Sequence, residues 1–174
     1  MFRRNDKGGD APGPNVYQMK QKMLSIGDGF WIENGAGQRV FKVDGKALRI
    51  RKTLHLQDAA GNDRYLIKEK LVTVRDVMTI EGPAGTVATV KKALISPLRE
   101  RYNVEFAGGA EWKAQGNIVD HQYEVEGPGG KIAEVSKRWF RVRDTYGIEV
   151  AAGQDDALVL AVAIVIDQMS HATR

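Results

Sequence analysis

Residues 157 to 166, Ala-Leu-Val-Leu-Ala-Val-Ala-Ile-Val-Ile, form an unbroken apolar run close to the C-terminus. A segment that is apolar on every side needs wrapping on every side. Membrane insertion is not the economical way to provide that. At about 1.5 Å per residue, a run of this length reaches only about half of a bilayer's hydrocarbon core. Val159, Val162, Ile164, Val165 and Ile166 are β-branched and would also suit a buried strand. Three features favour a helix over about 155–170. Asp155 and Asp156 can cap its first turn and complement its dipole; Ala157, Ala161 and Ala163 are strong helix formers; and the run to Met169 is long for a strand.

Almost everything before this segment reads as short strands. Val72, Val74, Met78 and Ile80 share one parity of an alternating run, while Thr73, Arg75, Thr79 and Glu81 share the other. That period of two marks a half-buried strand. Leu48 and Ile50 alternate with Arg49 and Arg51, and Tyr123 and Val125 alternate with Gln122, Glu124 and Glu126. Gly27-Asp28-Gly29, Asp44-Gly45, Ala60-Gly61-Asn62-Asp63, Gly108-Gly109 and Tyr146-Gly147 read as chain reversals. Residues 81–92 (EGPAGTVATVKK) and 126–137 (EGPGGKIAEVSK) repeat one another at seven of twelve positions. Each copy is an acidic residue, a glycine turn and a strand, as expected for hairpins of a meandering sheet. A sheet closed on itself has no edges but needs its interior filled, and the apolar helix supplies the filling.

With 174 residues and no cysteine, the chain is expected to bury one sizeable core without disulfides or thiolate metal sites. Residues 1–15 read as a flexible tail, with no secretory h-region after Arg3 and Arg4, and residues 16–174 as a single domain. Nothing in the sequence has the length of a transmembrane helix. A cytoplasmic protein, at most peripheral at a membrane, is therefore expected.

A succession of pieces resembles the LURP-one-related family. It begins with Tyr17 to Phe30 (YQMKQKMLSIGDGF) and continues through Gly37 to Val43, Val43 to Leu48, and Leu56-Gln57-Asp58 to Gly61. It ends with Tyr146-Gly147-Ile148-Glu149-Val150 followed by Asp156 to Met169, an ending that is also similar to phospholipid scramblases. The resemblance runs over about residues 16 to 170. It implies the tubby C-terminal-like fold: mainly β, a closed antiparallel barrel of about twelve strands around a buried hydrophobic helix. It brings no established biochemical activity, although relatives in the superfamily bind phosphoinositides or are associated with lipid scrambling. Such roles do not transfer by fold.

No catalytic constellation stands out, and the chain is expected not to be an enzyme. His55, His121 and His171 are far apart and without metal-ligand spacing. His121 falls in an alternating strand and His171 just past the helix, so both read as surface or satisfied histidines. The glycine-rich stretches lead into strands rather than helix N-termini, so they are hairpins and not phosphate cradles. Asp144, Glu149, Asp155 and Asp156 occupy the region proposed to bind calcium in scramblases, yet they lack the ligand alternation of a calcium loop. No metal and no cofactor is expected.

Charge is the remaining signal. Residues 1–70 hold 14 Lys and Arg against 8 Asp and Glu, whereas residues 71–174 hold 12 against 14. Arg49, Arg51 and Lys52, Lys91 and Lys92, and Lys137, Arg138, Arg141 and Arg143 are the basic clusters that a barrel can bring together as an anion or lipid headgroup site. The resemblance and the missing catalytic constellation imply a non-enzymatic LURP-one-related binding or scaffold domain of unestablished biochemical role, its partner left open between an anionic phospholipid and a protein. A peripheral protein binding anionic phospholipid head groups is the alternative, and nucleic-acid binding a third, less favoured one.

Overall fold

A computed structural model of the chain describes residues 13–20, 29–45, 53–70, 77–93, 100–138 and 145–172. These form twelve strands and one helix. In chain order the strands are β1 (Asn15–Lys20), β2 (Phe30–Asn34), β3 (Arg39–Gly45), β4 (Thr53–Asp58), β5 (Asp63–Lys70) and β6 (Val77–Gly82). There follow β7 (Gly85–Lys92), β8 (Glu100–Phe106), β9 (Glu111–Asn117), β10 (Gln122–Gly127), β11 (Gly130–Ser136) and β12 (Thr145–Val150). Each strand pairs antiparallel with its sequence neighbour, and β1 pairs with β12, so the sheet is a closed barrel. The helix α1 (Asp156–Ala172) follows β12.

α1 fills the barrel. Ala157 and every residue from Val159 to Asp167 are at most 5% exposed. Its backbone runs nearest β5, β6, β7 and β12. Wall side chains of mixed size close the space around it: Ala88 on β7, Ala114 on β9 and Ala133 on β11 alternate with the bulky Tyr102 on β8, Trp112 on β9, Tyr123 on β10 and Tyr146 on β12. Filling an interior to crystal-like density requires such large-small complementarity.

The sequence repeat is a repeat of geometry. Gly82 pairs with Gly85 in the β6–β7 hairpin and Gly127 with Gly130 in the β10–β11 hairpin. Both have a bulge just before, at Ile80/Glu81 and at Val125/Glu126. Pro83 and Pro128 fix φ at the start of each turn, and Gly85 (φ 115°) and Gly130 (φ 112°) take the conformation that a Cβ opposes.

Several expectations need correction. Asp44-Gly45 and Tyr146-Gly147 are not reversals. Asp44 and Gly45 end β3 opposite His55 and Leu54, and Tyr146 and Gly147 lie inside β12 opposite Met19 and Gln18. Ladder pairing, which for Gly147 comes from both Gln18 and Ser136, outweighs the local turn preference of a single glycine. In β6 the alternation fades, because Thr79 (1% exposed) is buried along with Met78 and Ile80. The helix ends two residues later than expected, at Ala172. The tail reading of residues 1–12, the turn at Gly27-Asp28, the Leu48–Arg51 alternation and the Val72–Arg75 part of the strand lie outside the described residues.

Candidate functional site

At its N-terminus α1 is tied to the barrel wall. Asp155 Oδ1 accepts from the Leu158 backbone N–H (3.1 Å), which makes Asp155 the N-cap, and its Oδ2 accepts from the Tyr65 hydroxyl (2.6 Å). Asp156 Oδ2 accepts from Asn15 Nδ2 (2.7 Å) and from the Tyr17 hydroxyl. Both carboxylates sit where the helix dipole favours negative charge. These contacts commit them to protein donors, and among the described residues no group of His, Asp and Glu is arranged to hold a metal. Asp144 lies outside those residues.

At the other end α1 meets the turn between β9 and β10. The Asn117 side chain closes this turn on Asp120, donating from Nδ2 to the carboxylate (2.7 Å) and accepting the Asp120 N–H at Oδ1 (3.3 Å). His121 therefore stands in a turn with φ 52°, not in an alternating strand. It is buried rather than a surface residue: Nε2–H donates to Asp167 Oδ1 (2.7 Å), with both side chains 5% exposed. The imidazole stacks on Tyr146, ring centroids 4.2 Å apart. His171 lies in the last helical turn, its Nδ1 2.7 Å from the Asp167 carbonyl oxygen, and Ser170 Oγ donates to the same oxygen (2.9 Å). Spacing could not reveal a pair 46 residues apart. The only available signal was an aspartate ending an otherwise apolar run.

Burial, then the neighbouring Asp167 charge, raises the Tyr146 and Tyr123 phenols well above their ordinary range. At the opposite end burial, and then the hydrogen bond to Asp155, pushes Tyr65 up to about 12, and Tyr17 is raised in the same way by burial and Asp156. The folded state thus favours the neutral phenols. Stability from this source is complete below the ordinary tyrosine value of 10.0 and is lost as pH rises from there through about 12. Alkaline titration followed by phenolate absorbance should show these four tyrosines silent around pH 10. Their ionisation should coincide with loss of the circular-dichroism signal, and four normal midpoints in folded protein would contradict the burial.

Of the expected basic residues, Lys91, Lys92, Lys137 and Arg138 are described; Arg49, Arg51, Lys52, Arg141 and Arg143 lie outside the described residues. Lys91 Nζ is 2.7 Å from Glu105 on β8. Lys92 Nζ is 2.9 Å from Glu100 and sits 5.8 Å from the centre of the Tyr102 ring. Arg138 is largely exposed, with Nη2 3.5 Å from Glu134 and Nε donating to Ser136 Oγ (3.3 Å). Lys137 follows β11 and is half-buried. Strand register thus sets carboxylates against Lys91 and Lys92, and Glu134, four residues back, lies near Arg138. What the topology does bring together is position. Lys91 and Lys92 end β7, Lys137 and Arg138 follow β11, and the ends of β3 (Gly45) and β12 (Thr145) lie at the same barrel end, where α1 terminates.

The outer wall of β8 to β12 carries both signs. Arg101, Gln115, Glu124, Glu134 and Glu149 stand opposite one another across five strands. Lys131 Nζ lies 2.6 Å from Glu134 and 3.5 Å from Glu124, which relieves the like-charge pairing. Two depressions of about 400 and 320 Å³ open there, sharing Gln115 and Glu124; Arg101 and Lys113 line the first, Arg138 and Glu134 the second.

This architecture is similar to that of a crystallographically determined Arabidopsis thaliana protein: TM-score 0.66, 15% identity, 94% of each chain covered. At that identity the likeness shows the fold alone. No curated protein sequence matches the chain. No helix among the described residues is long and apolar enough to cross a membrane. The profile of the LURP-one-related family matches residues 15–167, nearly the whole barrel and most of its helix, and the chain belongs to that family.

Proposed function

We propose that the chain is a non-enzymatic binding scaffold that engages a protein partner through its outer wall. The observation that carries this reading is the filled lumen. Val159 to Asp167 occupy the space where a barrel of this kind would otherwise hold a small ligand, and the interior His121–Asp167 pair is closed off from solvent. What remains for recognition is a wall of interleaved charges, which gives specificity by complementarity rather than a strong field of one sign. In the purified chain incubated with metabolite mixtures, product formation followed by NMR should stay at the level of the buffer control. Saturable turnover that disappears when the protein is unfolded would overturn the proposal.

A second reading is peripheral binding to anionic phospholipid head groups in the cytoplasm. It is favoured by Lys91, Lys92, Lys137 and Arg138 lying at one barrel end, beside the strand ends that flank the other basic residues. Vesicle flotation tests it. Binding should rise with phosphoinositide content, fall steeply with salt, and weaken in Lys137→Glu/Arg138→Glu. Flotation that ignores salt and these substitutions would end it. Retention of DNA or RNA in gel shifts, without vesicle binding, would move the assignment to nucleic acid.

A further inference from the structure

We infer that His121 and Asp167 form a release latch, which lets the C-terminal turn of α1 detach from the barrel while the strands and the rest of the helix stay folded. The backbone at His121 is the first indication. In three other hairpins the residue whose N–H closes the turn on the carbonyl three positions back is a glycine with positive φ: Gly37 on Asn34, Gly61 on Asp58 and Gly109 on Phe106. His121 closes its turn on Ile118 in the same way (3.0 Å), yet among the described residues it is the one non-glycine with positive φ. Glycine takes that conformation without steric cost and a side chain does not. The imidazole is kept there by what it touches.

Asp167 is the second indication. It lies five residues before the end of α1, where the helix dipole opposes a negative charge, and it is 5% exposed. The Nε2–H of His121 is its donor from the barrel wall. The two ends of the helix are therefore held differently. Asn15, Tyr17 and Tyr65 grip a dipole-favoured N-terminus. At the C-terminal end the carboxylate that the dipole disfavours is bonded by a histidine whose turn takes a positive φ and whose ring stacks on Tyr146. The bonds of Ser170 and His171 to the Asp167 carbonyl lie within the helix, so they keep its last turn helical without fastening it to the wall. Opening would uncover Ile166 and Met169, now at most 2% exposed, as an apolar end for a partner to grip.

Native-state hydrogen exchange on the full chain tests this. Asparagine tolerates the left-handed backbone but is too short to reach Asp167, so His121→Asn removes the latch and leaves the turn. Amides of 166–171 should then exchange about tenfold faster or more. Those of 159–162 and of β6–β7 should stay within about threefold of wild type. Asp155→Ala, at the far end, should leave 166–171 unchanged. Uniform acceleration through helix and strands, or none at 166–171, overturns the inference. Should His121→Asn not fold, the wild-type chain decides through the urea dependence of exchange. It should be shallower for 166–171 than for 159–162, and one common dependence along α1 would refute a local opening.

Discussion

Aspartate at position 163 is expected to leave no folded protein. Ala163 is 2% exposed in the centre of α1, between Val162 and Ile164, both 0% exposed. A carboxylate there would be one helical turn from Asp167, placing a second negative charge on the same face. The effective penalty for burying an uncompensated ion is several kcal/mol, against a total stability of about 5–15 kcal/mol for a typical domain. Repulsion from Asp167 adds to it, and the tight interior offers no room to turn the side chain towards water. Far-UV circular dichroism and amide NMR dispersion should both be lost, while Ala152→Asp at an exposed turn should behave as wild type. A cooperatively melting Ala163→Asp protein with native spectra would mean that the helix is not where it has been placed.

A second large effect is expected at Gly116 in β9. Its φ is 151°, and a Cβ would fall 2.5 Å from the Gln122 carbonyl oxygen and 2.7 Å from the Tyr123 Cα. Those atoms are backbone of the paired strand, so they cannot swing aside as a flexible side-chain tip can. Gly116→Ala should therefore force β9 and β10 apart where Tyr123 enters the core. Adding overpacking to a backbone region that only glycine occupies easily gives a loss of about 2–6 kcal/mol. The denaturation midpoint reports it. Gly129→Ala is the control, since nothing lies within 4 Å of a Cβ there. Equal midpoints for the two variants would show that β9 and β10 are not packed so closely.

The parts of the fold that were legible in the sequence are those whose cause is local. The apolar run has no polar face, so it had to be enclosed, and Asp155 stands where a cap belongs. The repeat around Pro83 and Pro128 encodes its own turn, bulge and returning strand. Where long-range pairing decides, local signals mislead. Asp44-Gly45 and Tyr146-Gly147 look like turns and become strand because β4 pairs with the first and β1 with the second, Gly147 being paired with β11 as well. The same holds for the candidate site. Lys91 and Lys92 look like a cationic pair until β8 brings Glu105 and Glu100 alongside, and that registry exists only once β7 and β8 pair. His121 and Asp167 carry no spacing signature at all, because a turn and a helix 46 residues away meet only when the helix enters the lumen.

The central claim is that this helix is sealed inside a closed barrel, and a single buried thiol tests it most directly. The chain has no cysteine, so Val162→Cys introduces one probe of nearly the native volume at a position that is 0% exposed. Its labelling by a soluble thiol reagent should proceed only at the rate of global unfolding, whereas Ala59→Cys in an exposed turn should react like a free thiol. Rapid labelling of Val162→Cys in native buffer, while the barrel remains folded by circular dichroism, would contradict the account.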